Sequence, residues 1–272
     1  MGLMSEKTIG IIGAGAMGEA LATGIVRAGL VRPADLYISD VRQERLDGLR
    51  TRLGVTPLAD NKQLVSVSRV VILAVKPPVV APVLDEIAPA LTSAHTLISI
   101  AAGITLAFIE ERLPPGVPVV RVMPNTPCLV GAGASAFALG RYAQTEDARR
   151  AREILEAVGM AVEVPEEHLD IVTGLSGSGP AYAYLVIEAL SDGAVRLGLP
   201  RQLAIRLAAQ TLYGAAKMIL SSEEHPARLK DAVTTPGGTT AAGLFALEEA
   251  GVRAAFARAV EQATRRAMEL SK

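Results

Sequence analysis

The chain has 272 residues and a net charge of −1 from 27 basic and 28 acidic side chains; half its residues are apolar, only 3% are aromatic and Trp is absent. That length suits one large domain or two modest ones around an aliphatic core, and the balanced charge argues against a nucleic-acid partner. With Cys128 as the single cysteine there is no intrachain disulfide, residues 1–7 carry no leader pattern, and no apolar run reaches about 18 residues, so a cytoplasmic protein without a membrane partner is expected.

Residues 8–12, 36–39, 70–75, 96–100 and 117–122 are short β-branched runs and read as buried strands. Helical patterns lie between them, at 16–28, 43–52, 79–90 and 105–112. Residues 132–138 and 161–164 add two strands around a helix at about 145–158. Strand–helix alternation with short links predicts an α/β fold, a parallel sheet with helices on both faces. The character changes near Pro165, beyond which the pattern is all-helical. The helix at 181–197 carries one polar line, Glu188, Asp192 and Arg196, and that at 201–220 carries Gln202, Arg206 and Gln210. So narrow a polar stripe means burial around most of the circumference. A short helical half cannot cover that surface alone, so packing against a second copy is predicted. The last helix, 252–270, points Arg258, Glu261, Arg265 and Glu269 outward and is expected nearer solvent.

Directly after the first strand comes Gly13-Ala14-Gly15-Ala16-Met17-Gly18, opening a helix. The first glycine permits a tight turn, the second lets backbone approach a pyrophosphate, and the third allows close helix–strand packing. The helix N-terminus adds free N–H groups and a positive dipole. In this strand–turn–helix context the motif predicts dinucleotide binding by a Rossmann-type domain over residues 1–165, with a helical substrate-binding and dimerisation domain over 166–272. Asp40 ends the second strand, where an acid hydrogen-bonds the adenosine ribose and favours NAD. Arg42 and Arg45 follow and suit a 2′-phosphate, so NADH and NADPH both stay open.

Ala74-Val75-Lys76-Pro77 ends the next strand, and ligands of open parallel sheets lie beyond carboxyl ends. Lys76 is therefore placed for a coenzyme phosphate or ribose, or is an ordinary exposed lysine. Ala101 lies in a small-residue stretch after the following strand, and Asn125 sits in a stiff, non-helical loop between Pro124 and Pro127. Cys128 reads as a small buried residue. His95, His168 and His225 have no metal spacing, so no metal is expected.

In the helical half, residues 174–180 (GLSGSGP) interrupt and restart a helix. Residues 231–240 (DAVTTPGGTT) break one helix and open another near Thr239, placing hydroxyls and backbone N–H groups at a helix start. That arrangement is either a substrate carboxylate site or a capped helix start using Thr239 or Thr240.

The glycine motif ending in Met17-Gly18, then Ala74–Pro77 (AVKP), Asn125-Thr126-Pro127, 173–182 (TGLSGSGPAY) and 229–240 (LKDAVTTPGGTT) come in the order found in pyrroline-5-carboxylate reductases. The chain resembles that family over nearly its whole length. The resemblance implies NADPH- or NADH-dependent reduction of Δ1-pyrroline-5-carboxylate to L-proline, the last step of proline biosynthesis. It implies a homodimer, and a decamer assembled from dimers. It also implies that Thr235, Thr239 and Thr240 hold the substrate carboxylate, with Gly237 and Gly238 shaping the cradle and the Val233 carbonyl facing the ring nitrogen. Thr240 matches a threonine near the imine nitrogen, and Glu223 and His225 match positions beside the substrate loop. Gly13, Gly15, Ala16, Met17, Gly18, Asp40, Arg42, Asn61, Ala74, Val75, Lys76, Pro77, Ala101 and Asn125 make up the implied coenzyme set. Thr235 stands where the family commonly has serine, which narrows the pocket by a methyl. Other builds remain as alternatives: another NAD(P)-dependent imine reductase, a β-hydroxyacid dehydrogenase, or a non-catalytic NAD(P)-binding oligomer. β-Hydroxyacid dehydrogenases use a lysine in the first long helix of the second domain, and residues 180–197 contain none.

Overall fold

The computed structural model describes residues 8–222 and 224–271. The N-terminal residues read above for a leader, and Glu223, lie outside the described residues. Eight strands, β1 (Ile9–Ile12), β2 (Leu36–Ser39), β3 (Thr56–Pro57), β4 (Val70–Leu73), β5 (Thr96–Ser99), β6 (Val119–Met123), β7 (Gly133–Leu139) and β8 (Gly159–Glu163), form one sheet. Their order is β3-β2-β1-β4-β5-β6-β7-β8. The strand order reverses beside β1, which pairs in parallel with both β2 and β4. Such a switch point opens a crevice at the strand carboxyl ends.

Both sheet faces are covered. Ile9 and Ile11 of β1 and Ile72 of β4 join Leu21 and Ile25 of α1 (Ala16–Arg27), Leu46 and Leu49 of α2 (Gln43–Leu53) and Ile154 of α6 (Thr145–Glu156). Ile12, Val71 and Leu73 turn the other way. They meet Leu64 of α3 (Asn61–Ser66), Val80 and Leu84 of α4 (Pro77–Ile87) and Ile109 of α5 (Leu106–Glu110). Alternate strand residues thus feed two cores, which is why these strands read as unbroken apolar runs.

Four expectations need correcting. The sheet is mixed, because β7 runs antiparallel to β6 while β8 is parallel to β7. Residues 124–132 hold only a 3-10 turn, Thr126–Val130, where a non-helical loop was expected. That is too short for the crossover of about a dozen residues that a parallel pair needs. β4 stops at Leu73, and α4 starts at Pro77 with both prolines in its first turn, where their missing N–H groups cost nothing. β3 and α3 were not foreseen; the Asp60 side chain caps α3 by accepting the N–H groups of Lys62 and Gln63.

The chain divides into two compact units, one through Ser178 and again from Gln262, the other Gly179–Glu261. The break expected at 165/166 marks where strands end, but packing continues further. Leu169 of α7 (Leu169–Val172) is fully buried in the second core. Arg121 of β6, itself buried, donates to Glu166 at 2.8 Å and Asp170 at 3.5 Å. A π-helical turn, Thr173–Gly177, follows. The Ser271 hydroxyl donates to Asp170 at 3.0 Å, tying the chain's end to the first unit.

The second unit holds α8 (Gly179–Arg196), α9 (Arg201–Ser222), α10 (Pro226–Ala232), α11 (Thr239–Glu249) and the start of α12 (Val252–Leu270). Among its described residues only Ser191, Ala204 and Ala208 are buried. Leu185, Leu207, Tyr213 and Phe245 stand exposed. Apolar surface on that scale marks an interaction face.

Candidate active site

The chain leaves β1 through Gly13, whose φ of 108° lies where only glycine is comfortable. A Cβ there would stand 2.6 Å from the Ala74 carbonyl oxygen, and one on Gly18 would stand 2.0 Å from the Gly13 carbonyl oxygen. These two glycines let α1 sit close against the β1–β4 crevice. Gly15 is the N-cap of α1 and supplies no side-chain cap. A Cβ there would meet only Arg45 Nη1, at 3.7 Å. Open space therefore lies over Gly15, and the first N–H groups of α1 lack intrahelical partners.

A cleft of about 550 Å³ opens beside this turn, within the size range of small-molecule sites. Gly13, Gly15, Ala16, Asp40, Arg42, Asn61, Ala74, Val75 and Lys76 of the expected coenzyme set all line it. Met17, Gly18, Pro77, Ala101 and Asn125 do not. Met17 packs against the first core, Ala101 is buried in the second, and Pro77 begins α4. The Asn125 amide is engaged internally. It donates to the Ser176 carbonyl at 3.0 Å and accepts the Ala134 N–H at 2.9 Å. Ser39, Val41, Ala59, Val79 and Val83 also line the cleft and were not singled out from the sequence.

The charges in the cleft are unequal. Asp40 pairs with Arg42 at 3.1 Å, whereas Lys76 and Arg45 have no acidic partner among the described residues. Burial tends to raise the Asp40 pKa, but hydrogen bonds from the Arg42 side chain and backbone and from the Ala14 N–H outweigh it. The carboxyl therefore titrates below its ordinary value. Asn61 accepts the Ser39 hydroxyl at 2.7 Å and donates to Glu86 at 2.9 Å.

The second candidate region is the turn into α11. The Gly238 N–H donates to the Thr235 carbonyl at 3.0 Å. Pro236 and Gly237, with φ of 66°, occupy the two central positions, the pattern of a type II turn. Gly238 is the N-cap, with no side-chain cap, so neither Thr239 nor Thr240 plays the capping role weighed from the sequence. Among the described residues the hydroxyls of Thr235, Thr239 and Thr240 have no hydrogen-bond partner. Val233 is exposed at the end of α10. His225 is the N-cap of α10, and its Nδ1 accepts the Ala227 N–H at 3.2 Å, which makes it a local brace. Cys128 is buried, as expected.

A relative from Methanosarcina acetivorans, named pyrroline-5-carboxylate reductase, is 50% identical over 269 residues, 99% of this chain and 100% of its own length. The chain belongs to the pyrroline-5-carboxylate reductase family. A family model described as pyrroline-5-carboxylate reductase dimerisation matches residues 166–270. One described as NADP oxidoreductase, coenzyme F420-dependent, matches residues 8–103. The structure of a pyrroline-5-carboxylate reductase from Coxiella burnetii superposes with a TM-score of 0.94 at 36% identity, covering 98% of this chain and 99% of that one. The Plasmodium falciparum pyrroline carboxylate reductase, solved with NADP bound, superposes with a TM-score of 0.87 at 34% identity, covering 99% and 100%. No described helix is long and apolar enough to cross a membrane.

Proposed function

We propose that this protein reduces Δ1-pyrroline-5-carboxylate to L-proline with NADPH or NADH in the cytoplasm, as a homodimer able to assemble further into a decamer. The observation that carries this reading is the bare N-terminus of α11, which suits a small carboxylate, in a member of this family. The cleft residues fit a dinucleotide. The free N–H groups at Gly15 and Ala16 suit a pyrophosphate, and the Lys76 ammonium adds an uncommitted positive charge. When bound, the coenzyme supplies a hydride to the ring carbon of the C=N bond, and the nitrogen ends protonated.

The chain's own groups orient rather than activate. An iminium substrate already carries the activating charge, so positioning matters more than strong acid catalysis. Thr239, Thr240 and the first N–H groups of α11 hold the carboxylate, with Thr235 and the Gly237–Gly238 corner shaping the cradle. The Thr240 hydroxyl and Val233 carbonyl address the ring nitrogen. Apolar α8 and α9 are covered by the second copy.

Initial rates with pyrroline-5-carboxylate and each coenzyme test this. Oxidation of 3-hydroxyisobutyrate without imine reduction, or coenzyme binding with no imine turnover, would overturn it. Thr240→Ala should lower kcat/KM at least tenfold, about 1.4 kcal/mol, while coenzyme affinity is kept; unchanged kinetics would remove Thr240 from the site.

A further inference from the structure

An acid at the end of the second strand selects the unphosphorylated ribose by offering both oxygens to its hydroxyls. In this chain those oxygens are already committed. Asp40 Oδ2 accepts the Ala14 N–H at 2.8 Å. Its Oδ1 accepts the Arg42 backbone N–H at 2.9 Å and Nε at 3.1 Å. Arg42 Nη2 donates to Oδ2 at 3.4 Å. A carboxylate has about four acceptor sites, and four donors address this one. Its side chain is 6% exposed, against 53% for Arg42. Burial would neutralise an unsupported carboxyl, but these hydrogen bonds hold the pKa of Asp40 low, so the brace persists at neutral pH.

The positive groups have the opposite disposition. Arg42 and Arg45 both line the cleft, and one acid answers them. Arg45 donates from Nη1 to the Ala14 carbonyl at 3.2 Å, which leaves its other N–H groups uncommitted. Val41, between Asp40 and Arg42, is fully exposed, so nothing packs over this end of the cleft. A guanidinium presents five N–H donors in a fixed fork that matches phosphate.

We infer that Asp40 is a positioning residue that fixes the glycine turn and aims Arg42, and that Arg42 and Arg45 together receive a phosphate on the adenosine ribose, so that this chain prefers NADPH. This rests on the coenzyme reading above and goes beyond it by choosing between the two coenzymes. The ribose-selecting role expected of Asp40 is replaced by a structural one. The preference lies in two arginines that follow it in sequence.

Calorimetric titration of 2′,5′-ADP and 5′-ADP into the full-length protein tests the inference without turnover. Initial rates with NADPH and NADH accompany it. Wild type should bind 2′,5′-ADP at least tenfold more tightly than 5′-ADP. Arg42→Ala should cut that ratio below threefold. Asp40→Asn should weaken both nucleotides together and leave NADPH no better relative to NADH. Equal affinity for the two nucleotides in wild type would overturn the inference while leaving coenzyme binding intact. So would an Asp40→Asn variant that loses NADH and gains NADPH. Failure of wild type to bind either nucleotide would overturn this inference and the coenzyme reading together.

Discussion

Gly18→Ala tests whether the crevice depends on the close approach of α1 to the sheet. The added Cβ would lie 2.0 Å from the Gly13 carbonyl oxygen and 3.5 Å from the Ala74 Cβ. The first distance is about 1.5 Å short of van der Waals contact, and the obstacle is backbone in the coenzyme turn itself. Relief requires α1 to retreat, carrying fully buried Leu21 and Ile25 out of register with the core. Overpacking of this kind costs about 1–3 kcal/mol. The retreat also displaces the bare N–H groups at Gly15 and Ala16 by on the order of 1 Å, enough to lose tenfold or more in a positioned interaction. Urea denaturation followed by far-UV circular dichroism measures the first effect, and calorimetric coenzyme titration the second. Gly48→Ala is the control. It lies inside α2 with nothing within 4 Å of its Cβ position, so it should stabilise by about 0.5–1 kcal/mol. A Gly18→Ala protein with wild-type midpoint and coenzyme affinity would refute the reasoning.

Arg121→Ala leaves Glu166 and Asp170 without their buried cation. The protein should lose about 3–5 kcal/mol by urea titration, and a loss below 1 kcal/mol would show that the charges are solvated. His95 is depressed below its ordinary value of 6.5 by burial first and by the Arg69 charge as well. The unfolded chain therefore takes up this proton first, and the contribution of His95 is intact above pH 6.5 and lost as pH falls through the lower folded value. His95→Gln should flatten the fall in urea midpoint below about pH 6.5, and an identical slope in both proteins would refute this.

The geometry of the glycine turn was legible because one contiguous segment carries its whole requirement. Gly13 and Gly18 each meet a constraint set within a single strand–turn–helix unit or by its immediate neighbour strand, while Gly15 leaves open space over the helix start. Asn125 entered the coenzyme set through the family resemblance, and the sequence around it shows no internal partner. Its actual partner, the Ser176 carbonyl, lies 51 residues away in sequence, and no local pattern reports such a contact. Arg121 carried a signal that was overlooked. A charge in the middle of the buried run VVRVM must find acids, and Glu166 and Asp170 supply them from just beyond Pro165. Asp60 before Asn61-Lys62 was likewise a usable cap signal for α3. The antiparallel return of β7 was legible in the shortness of residues 124–132, had link length been weighed above strand–helix alternation.

The two proposed ends of the reaction depend on different kinds of support. The cleft proposed for the coenzyme belongs to a unit whose sheet is closed by a core on each face. The α11 turn belongs to a unit with three buried side chains among its described residues, so its rigidity must come from whatever covers the apolar faces of α8 and α9. A carboxylate site made of N–H groups is useful only if those groups are held in place. Leu207→Glu, at a position of α9 that is 52% exposed in the isolated chain, places a charge where a second copy is proposed to pack. It should therefore weaken assembly in analytical ultracentrifugation and lower kcat/KM for the imine at least tenfold. Calorimetric coenzyme affinity should stay within about twofold, because the cleft takes no lining residue from α9. A monomeric Leu207→Glu protein with full imine turnover would show that the α11 turn is rigid without a second copy.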